Sequence, residues 1–477
     1  MKVMFVINIS DLGFEEPLGV LYLSSACKSR GHEVFMVENS LESVLQEVEE
    51  KKPDILAYSV LSANFPYLFE THCEVRKHLN IRSVFGGPHA TFFPEILEKP
   101  EIDYVFRGEC ENAFPLFLDK LNKNEPVKDV PNLGYKEEGK CFYNPLENLE
   151  NELDIIRLPD RSLLETHLQF YNADVRSVIA SRGCPYKCSY CFNNQYQEMY
   201  DKKGKKYRIR SVDNLIEECV ELKEKYKTKM IHFFDDIFPP QKEWLKEFAE
   251  KYKEKVGLPY LTNTSFNVCT ENYVKKLSES GCKCLLIGVE TGNEKLREEV
   301  LYRKMNNDDM VVKAKMINRL GIKIYTQNLI GLPHGSLEHD IETLELNVKL
   351  RADYAGVYLC QPYPKTAIEK IAKEAGILKE EVSFGRSFYH SCNLVLEDQE
   401  KVEKLRVMFP VLVCIPFLAP YVRVFLKFPL FPFIVFGKIL HGYKIKTCML
   451  RYNMGILSFI RLIRLFFKRS INQISNL

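Results

Sequence analysis

Three of the fifteen cysteines are grouped. Cys184, Cys188 and Cys191 lie in Cys-Pro-Tyr-Lys-Cys-Ser-Tyr-Cys, a C-x3-C-x2-C spacing that directly follows a short strand-forming run. A tight loop with three thiolates can hold three irons of a [4Fe–4S] cube, whose ligands are normally cysteines. No fourth cysteine follows before Cys219, inside a helical stretch, so one iron keeps an open position for a small chelating molecule. Zinc is the competing metal, but a structural zinc site takes four ligands and the loop contains no histidine. Three unliganded buried thiols are the remaining alternative, and the spacing argues against them.

The loop needs a scaffold, and the alternation of patterns supplies one. Residues 3–9, 32–37, 54–60, 82–85 and 104–107 read as strands, with helical runs at 18–29, 41–51 and 65–78 between them. Strands spaced by helices imply a doubly wound parallel sheet of the Rossmann type, with ligands at the carboxyl ends of its strands. The candidate loops are 8–17, 59–66, 86–91 and 107–112. A second series of strands follows at 178–181, 230–234, 260–264, 284–289, 323–330 and 355–359, with amphipathic helices between. Six β/α units predict a full or partial β/α barrel, whose site lies at the strand C-termini. The expected domains are 1–135, a connector at 136–172, the barrel at 173–395 and a helical extension at 396–477.

Length and composition fit this plan. The chain has 477 residues, enough for two or three domains, and its 46% hydrophobic content excludes wholesale disorder. A net charge of +2 excludes a uniformly basic coat for nucleic acid, and no nucleic-acid partner is expected. That balance is split. Residues 401–477 hold 13 Lys/Arg against one Asp/Glu, a net of +12, and residues 1–400 carry −10. Such asymmetry predicts an anionic partner such as a membrane surface. The stretch 408–436 is apolar but is broken by Arg423, Lys427 and five prolines, so a spanning helix is not expected. Residues 455–469 read either as a basic amphipathic helix lying in a membrane interface or as a helix packed on the barrel. The N-terminus reads as a first strand rather than a signal peptide, and most cysteines are scattered singly. Both features predict a reducing cytoplasm, with peripheral contact at the inner membrane face.

C-x3-C-x2-C at the end of a first barrel strand resembles the signature of radical S-adenosylmethionine (radical SAM) enzymes, and the likeness extends past it. Tyr190 matches the aromatic that packs near adenine. Phe233-Phe234-Asp235-Asp236-Ile237-Phe238 resembles the second-strand motif near the methionyl amine. Ile287-Gly288-Val289-Glu290-Thr291-Gly292 resembles the fourth-strand motif, and Gln327-Asn328-Leu329-Ile330-Gly331-Leu332-Pro333 the fifth-strand end that approaches adenine. Gln361-Pro362-Tyr363-Pro364-Lys365-Thr366 is similar to the P-Y-P-G-T of one subgroup, with Lys365 replacing the usual Gly. The resemblance implies a [4Fe–4S] cluster on the three cysteines and S-adenosylmethionine on the open iron. Its cleavage yields a 5′-deoxyadenosyl radical. Asp235 or Asp236 would pair with the methionyl ammonium, and Glu290 would accept from amine or ribose. Asn263 and Ser265 are weaker candidates for the ribose, and Gln327 and Gly331 for the adenine side. Gly288 and Gly331 suit close backbone approach more than chemistry.

A doubly wound domain ahead of such a barrel resembles the cobalamin-binding subgroup. Pro17-Leu18-Gly19, Gly86-Gly87-Pro88-His89-Ala90-Thr91, Arg107-Gly108-Glu109 and the connector Leu158-Pro159-Asp160-Arg161 carry that likeness. Gly86 and Gly87 would let backbone lie against a flat macrocycle, and Ser59 and Ser62 offer hydroxyls for a nucleotide tail. The D-x-H-x-x-G motif that supplies a cobalt-ligating histidine is absent, and His89 reads more as a hydrogen-bonded turn residue. The resemblance implies methyl transfer to an unactivated carbon, with an external electron donor of the flavodoxin or ferredoxin type. The basic apolar tail leans toward a lipid or isoprenoid substrate. Two alternatives stay open: a corrinoid-free radical enzyme performing cyclisation or C–C bond formation, and a non-enzymatic iron–sulfur or corrinoid sensor.

Overall fold

The computed structural model describes residues 1–9, 15–167, 170, 173–380 and 392–452. The chain divides into two compact units, Met1–Ala173 with Gln197–Arg208, and Asp174–Tyr196 with Ile209–Leu477.

The first unit is built on a seven-stranded sheet. Its strands are β1 (Lys2–Ile7), β2 (Glu33–Glu38), β3 (Ile55–Ser59), β4 (Arg82–Gly86), β5 (Tyr104–Phe106), β6 (Leu133–Glu137) and β7 (Lys140–Tyr143), in the order β2-β1-β3-β4-β5-β6-β7. The first five pair in parallel. Side chains alternate across the pleat. Val3, Phe5 and Ile7 therefore enter one core with Leu21 and Phe114, while Met4 and Val6 enter the other with Tyr58 and Phe85. Strand order reverses at β1, which lies between β2 and β3. That is where doubly wound sheets bind ligands.

Two features depart from the expectation. Strands β6 and β7 are antiparallel and extend the sheet into the span expected to be connector. Their turn uses left-handed Glu138 and Gly139, and β7 is largely exposed, so no buried alternation marked it. The rest of the connector clamps back onto the first helix, Leu18–Ser29. Ser24 donates to Asp160 at 2.6 Å, and Arg161 pairs with Glu16 in a buried setting.

The second unit holds six parallel strands: β8 (Val175–Val178), β9 (Met230–Phe233), β10 (Tyr260–Thr264), β11 (Cys282–Glu290), β12 (Lys323–Ile330) and β13 (Tyr354–Leu359). They neighbour one another in chain order, with β8 and β13 at the edges, a partial barrel. Ile231, Phe233, Leu285, Ile287 and Ile324 face outward into one core with the helices Val212–Glu224, Lys242–Lys251, Glu271–Ser280 and Asn307–Arg319. Alternation leaves His232, Asn263, Gly288 and Gln327 on the inner face. Strand β8 begins three residues earlier than the expected 178–181. Arg176 hides it: the residue is 1% exposed, with its guanidinium over the Tyr226 ring at 5.2 Å, a polar residue in a buried strand.

The extension expected to form a separate module from 396 instead starts as a layer of this unit. Helix Gln399–Cys414 sends Leu405, Met408, Phe409 and Leu412 into the core that holds Ala355, Val357 and Leu359 of β13. Further on, the Cys448 Sγ reaches 3.7 Å from the Cys284 Sγ on β11, and Tyr452 donates to Asp174 at 3.2 Å. The amphipathic stretch 455–469 lies outside the described residues, as does 11–14 of the first loop. Among the described residues, no helix is long and apolar enough to cross a membrane.

Candidate active site

The cysteine loop opens at the end of β8, and two anchors fix it. The first is Asp235, 1% exposed, just after β9. Its carboxylate accepts from the Ala180 and Ser181 backbone N–H groups (3.1 and 2.6 Å) and from the Ser181 hydroxyl at 2.5 Å. Burial nevertheless raises its pKa to about 7. The second is Ser189, inside the triad. Its N–H donates to the Leu301 carbonyl, its hydroxyl to the Val300 carbonyl at 2.6 Å, and its carbonyl accepts from Ile368 N–H. The loop is thus tied to the segments after β11 and β13. Cys191 N–H closes a turn onto the Cys188 carbonyl at 3.2 Å.

The three thiols share one electrostatic neighbourhood. Burial is the main cause that lifts Cys184 to about 12 and Cys191 to about 11, and the neighbouring cysteines and Asp236 add to it. Cys188 is also raised by burial, but there Arg303 opposes the shift. Among the described residues, no three His, Cys, Asp or Glu side chains converge as a single-ion site would require. A cubane asks for something else, because each thiolate binds its own iron. A soft three-sulfur donor set in one tight loop fits that group.

Beside Cys188 lies a network that reading the sequence missed at its centre. Arg303 Nη1 is 3.9 Å from Cys188 Sγ, donates to Tyr190 Oη at 3.0 Å and pairs with Glu290 at 3.3 Å, while Nη2 donates to the Gly288 carbonyl at 3.0 Å. Tyr190 donates to Glu290 at 2.8 Å. Glu290 is 6% exposed, adopts φ +64° and sits at a register shift in β11. Burial raises its pKa, and Arg303 and the Tyr190 hydroxyl pull it back. Gly288 is required here. A Cβ would run into the Glu290 carboxylate and lie 3.3 Å from both terminal nitrogens of Arg303. Arg303 follows a helix rather than a strand, so no strand-end motif marked it.

The other expected residues divide. Asp236 accepts from Asn193 at 3.1 Å and lies open to solvent in the electrostatic field of Cys184 and Cys191. Surrounding protein still desolvates it enough to raise its pKa. Of the two acids it is the one left facing the thiols, since Asp235 is taken up by the loop. Asn263 donates to the Asp235 carbonyl at 2.9 Å, and Ser265 caps the turn Phe266–Val268. Gln327 is half-buried on the inner face of β12. Gly331 is left-handed: its N–H bonds Asp340, and a Cβ would meet the side chain of Leu396 at 2.7 Å. His232, enclosed on β9, is held neutral by burial, which lowers its pKa to about 3, and its ring lies edge-on to Phe234 at 4.8 Å.

In the first unit, Ser59, Ser62, Gly86, Gly87, Pro88 and His89 gather at the ends of β3 and β4. Gly87 has φ +89°, and a Cβ would lie 2.9 Å from Val60 N. The tight turn therefore serves close packing against Val60. His89, in the short helix Pro88–Phe92, bonds Ser62 at 3.0 Å and stacks on Phe65 at 4.4 Å. Gly108 and Glu109 are tied into the protein itself. Gly108 N–H bonds Thr91, a Cβ on Gly108 would collide with the Tyr200 hydroxyl, Glu109 N–H donates to that hydroxyl, and the Glu109 carboxylate pairs with buried Arg208. These two residues are held by the segment Gln197–Arg208.

Residues 178–346 match the radical SAM superfamily, and residues 5–118 match the B12 binding domain. The chain thus carries a region similar to radical SAM enzymes and, ahead of it, a region similar to B12 binding domains. It is 29% identical over 393 residues to an uncharacterized methyltransferase of Pyrococcus horikoshii, covering 78% of this chain and 83% of that protein. It is 26% identical over 370 residues to the hopanoid C-3 methylase of Methylococcus capsulatus, covering 74% and 67%. The solved structure of the radical S-adenosylmethionine methyltransferase TsrM from Kitasatospora setae, with cobalamin and a [4Fe–4S] cluster bound, superposes with a TM-score of 0.66 at 18% identity, covering 80% of this chain and 79% of that one. A radical SAM domain takes a [4Fe–4S] cluster and S-adenosylmethionine and needs a reductant, and a B12 binding domain takes cobalamin.

Proposed function

We propose that this enzyme transfers a methyl group to an unactivated carbon of an apolar, lipid or isoprenoid substrate. The observation that carries the catalytic part is the juxtaposition of three thiols, Asp236 and Arg303 at the strand ends of one partial barrel. When bound, S-adenosylmethionine and the cluster supply a 5′-deoxyadenosyl radical that removes hydrogen from the substrate carbon, and the corrinoid supplies the methyl group that replaces it.

The chain's own residues do the positioning. Cys184, Cys188 and Cys191 hold three irons. The Arg303 guanidinium beside Cys188 would offer donors for the methionyl carboxylate. Asp236 offers the opposite charge for the methionyl ammonium. Glu290 and Tyr190 hold Arg303 in place. The chain lacks the D-x-H-x-x-G motif that would supply a histidine to cobalt. Ser59, Ser62 and the Gly86–Gly87 turn are the chain's candidates for contact with the corrinoid.

The lipid reading rests on the basic apolar C-terminal region and on the likeness to a hopanoid methylase. Cytoplasmic placement is supported by twelve further cysteines, none in a disulfide, and peripheral contact at the inner membrane face by the basic apolar C-terminal region. A flavodoxin- or ferredoxin-type protein is the proposed electron donor. The test is an anaerobic incubation of cobalamin-loaded enzyme with a membrane lipid extract and S-adenosylmethionine labelled in its methyl group. A labelled lipid with a new C–CH3 bond supports the reading. Label only in water-soluble products removes the lipid substrate, and 5′-deoxyadenosine without methylated product favours cyclisation.

A further inference from the structure

The described part of the C-terminal region presents an apolar face whose position shows how the chain would meet a membrane. Nine of the seventeen large apolar side chains that are exposed among the described residues fall between 417 and 443. Phe417 and Phe431 are 74% exposed, and Tyr421, Phe428, Ile439 and Tyr443 are each more than half exposed. Isolated exposed apolar residues are ordinary, but a concentration of this kind marks an interaction surface.

The segment is anchored from its other side. Ala419, Val422 and Leu426 are buried in the core shared with β13, and Phe425, Leu430 and Phe433 pack against it. The exposed set is thus the outward face of an element whose inward face belongs to the barrel. Its backbone runs as the turn Pro416–Tyr421, the short helix Val422–Phe425 and the helix Phe431–Lys444. Pro416, Pro420, Pro429 and Pro432 break it into pieces too short to span a bilayer, which leaves it lying along a surface.

Charge selects the occupant. Residues 416–446 contain Arg423, Lys427, Lys438, Lys444 and Lys446 and no Asp or Glu, and no acid follows Glu403 anywhere in the chain. Arg423 reaches an acid only outside the segment, at Glu338. An aromatic, proline-interrupted face fringed by cations alone matches a layer of apolar chains under anionic head groups. A protein partner would need an apolar face fringed by acids, and a second copy of this basic face would repel it. We infer that residues 417–443 are the membrane-docking face, seated in the head-group region of an anionic bilayer. This deepens the membrane contact proposed above and is independent of the chemistry in the barrel.

The test uses full-length, cluster-loaded protein and co-sedimentation with vesicles of phosphatidylcholine alone or with one-third phosphatidylglycerol. The wild type is expected to sediment with the anionic vesicles and to be released by salt. Phe428→Ser with Phe431→Ser should weaken binding at least about tenfold on both compositions. Lys427→Gln with Lys438→Gln should cost about fivefold per lysine on anionic vesicles only. All four side chains are solvent-facing or half-exposed, and unchanged iron content checks that the variants fold. A wild type that remains in the supernatant overturns the inference. So does vesicle binding that appears only after residues 453–477 are removed, which would make that segment the cover of the face. So does a wild-type dimer that Phe431→Ser dissociates. Sedimentation requires no turnover, so a wild type that binds vesicles yet methylates no lipid would defeat the substrate reading and leave the docking face standing.

Discussion

Replacing Arg303 with methionine separates charge from shape beside the cluster loop. The long unbranched side chain keeps much of the apolar stem. It removes the donors to Tyr190, Glu290 and the Gly288 carbonyl. Glu290, 6% exposed, is then a buried carboxylate without its countercharge. Breaking a buried pair from one side costs about 3–5 kcal/mol. Protonation limits that cost. Burial already raises the Glu290 pKa above its ordinary 4.5, and loss of Arg303 raises it further. Neutralising the acid costs about 1.4 kcal/mol for each pH unit above the unfolded value, so the ceiling is about 3.4 kcal/mol at pH 7 and about 2 kcal/mol at pH 6. A carboxyl whose folded pKa lies above its unfolded one loses stability as pH rises between the two. The deficit must therefore grow with pH, and it should vanish near pH 4.5. Thermal unfolding of variant and wild type across pH 5.5–8 reads it, with a Tm deficit of up to about 6 °C at pH 7. The double variant Glu290→Gln, Arg303→Met should show no such slope. A deficit that is flat with pH, or a double variant that keeps the slope, would refute the buried-pair account.

The remaining expectations concern the loop and its neighbours. Gly288→Ala should push Arg303 and Glu290 apart and lower S-adenosylmethionine cleavage by about tenfold or more, with iron content unchanged. Equal loss of iron would show that the network merely holds the fold. Asp235→Asn offers one amide oxygen where the carboxylate holds two N–H groups and a hydroxyl. It should cost about 1–3 kcal/mol and loosen iron retention. Asp235 titrates at about 7 in the folded chain, above its ordinary 3.8. Its wild-type contribution therefore falls as pH rises from about 4 to 7. The asparagine does not titrate, so its deficit should shrink from pH 5 to pH 8, and a deficit that widens would contradict the assignment.

What the sequence revealed followed physical type. Cys184, Cys188 and Cys191 were legible because thiol spacing reports a loop directly, Asp236 and Glu290 because each follows or ends a strand at the barrel's functional face, and Tyr190 only through the family resemblance of the cysteine loop. Arg303 was not, since it comes thirteen residues after its partner and past a helix. The one hint was Gly288, whose missing side chain makes room for something to cross it. Arg176 concealed the start of β8 because a buried arginine under Tyr226 looks polar in a one-dimensional pattern. The helix Gln399–Cys414 carried a readable apolar spacing at Val402, Leu405, Phe409 and Leu412. Its partner, the outer face of β13, could be known only from the tertiary fold. Gly108 and Glu109 were expected as ligand contacts because Arg107-Gly108-Glu109 resembles the cobalamin-binding subgroup. What approaches is Tyr200, from a segment ninety residues away.

The central claim is that the triad carries a cluster that cleaves S-adenosylmethionine in a corrinoid-bearing enzyme. The measurement that tests it most directly is anaerobic purification with cobalamin supplied, quantification of iron, sulfide and cobalt, and assay of the reduced protein for 5′-deoxyadenosine. About four irons per chain, bound cobalt and 5′-deoxyadenosine are expected, with iron and product both lost in Cys188→Ala. A cluster that survives Cys188→Ala unchanged, or a cluster-loaded wild type that cleaves no S-adenosylmethionine, would contradict the account.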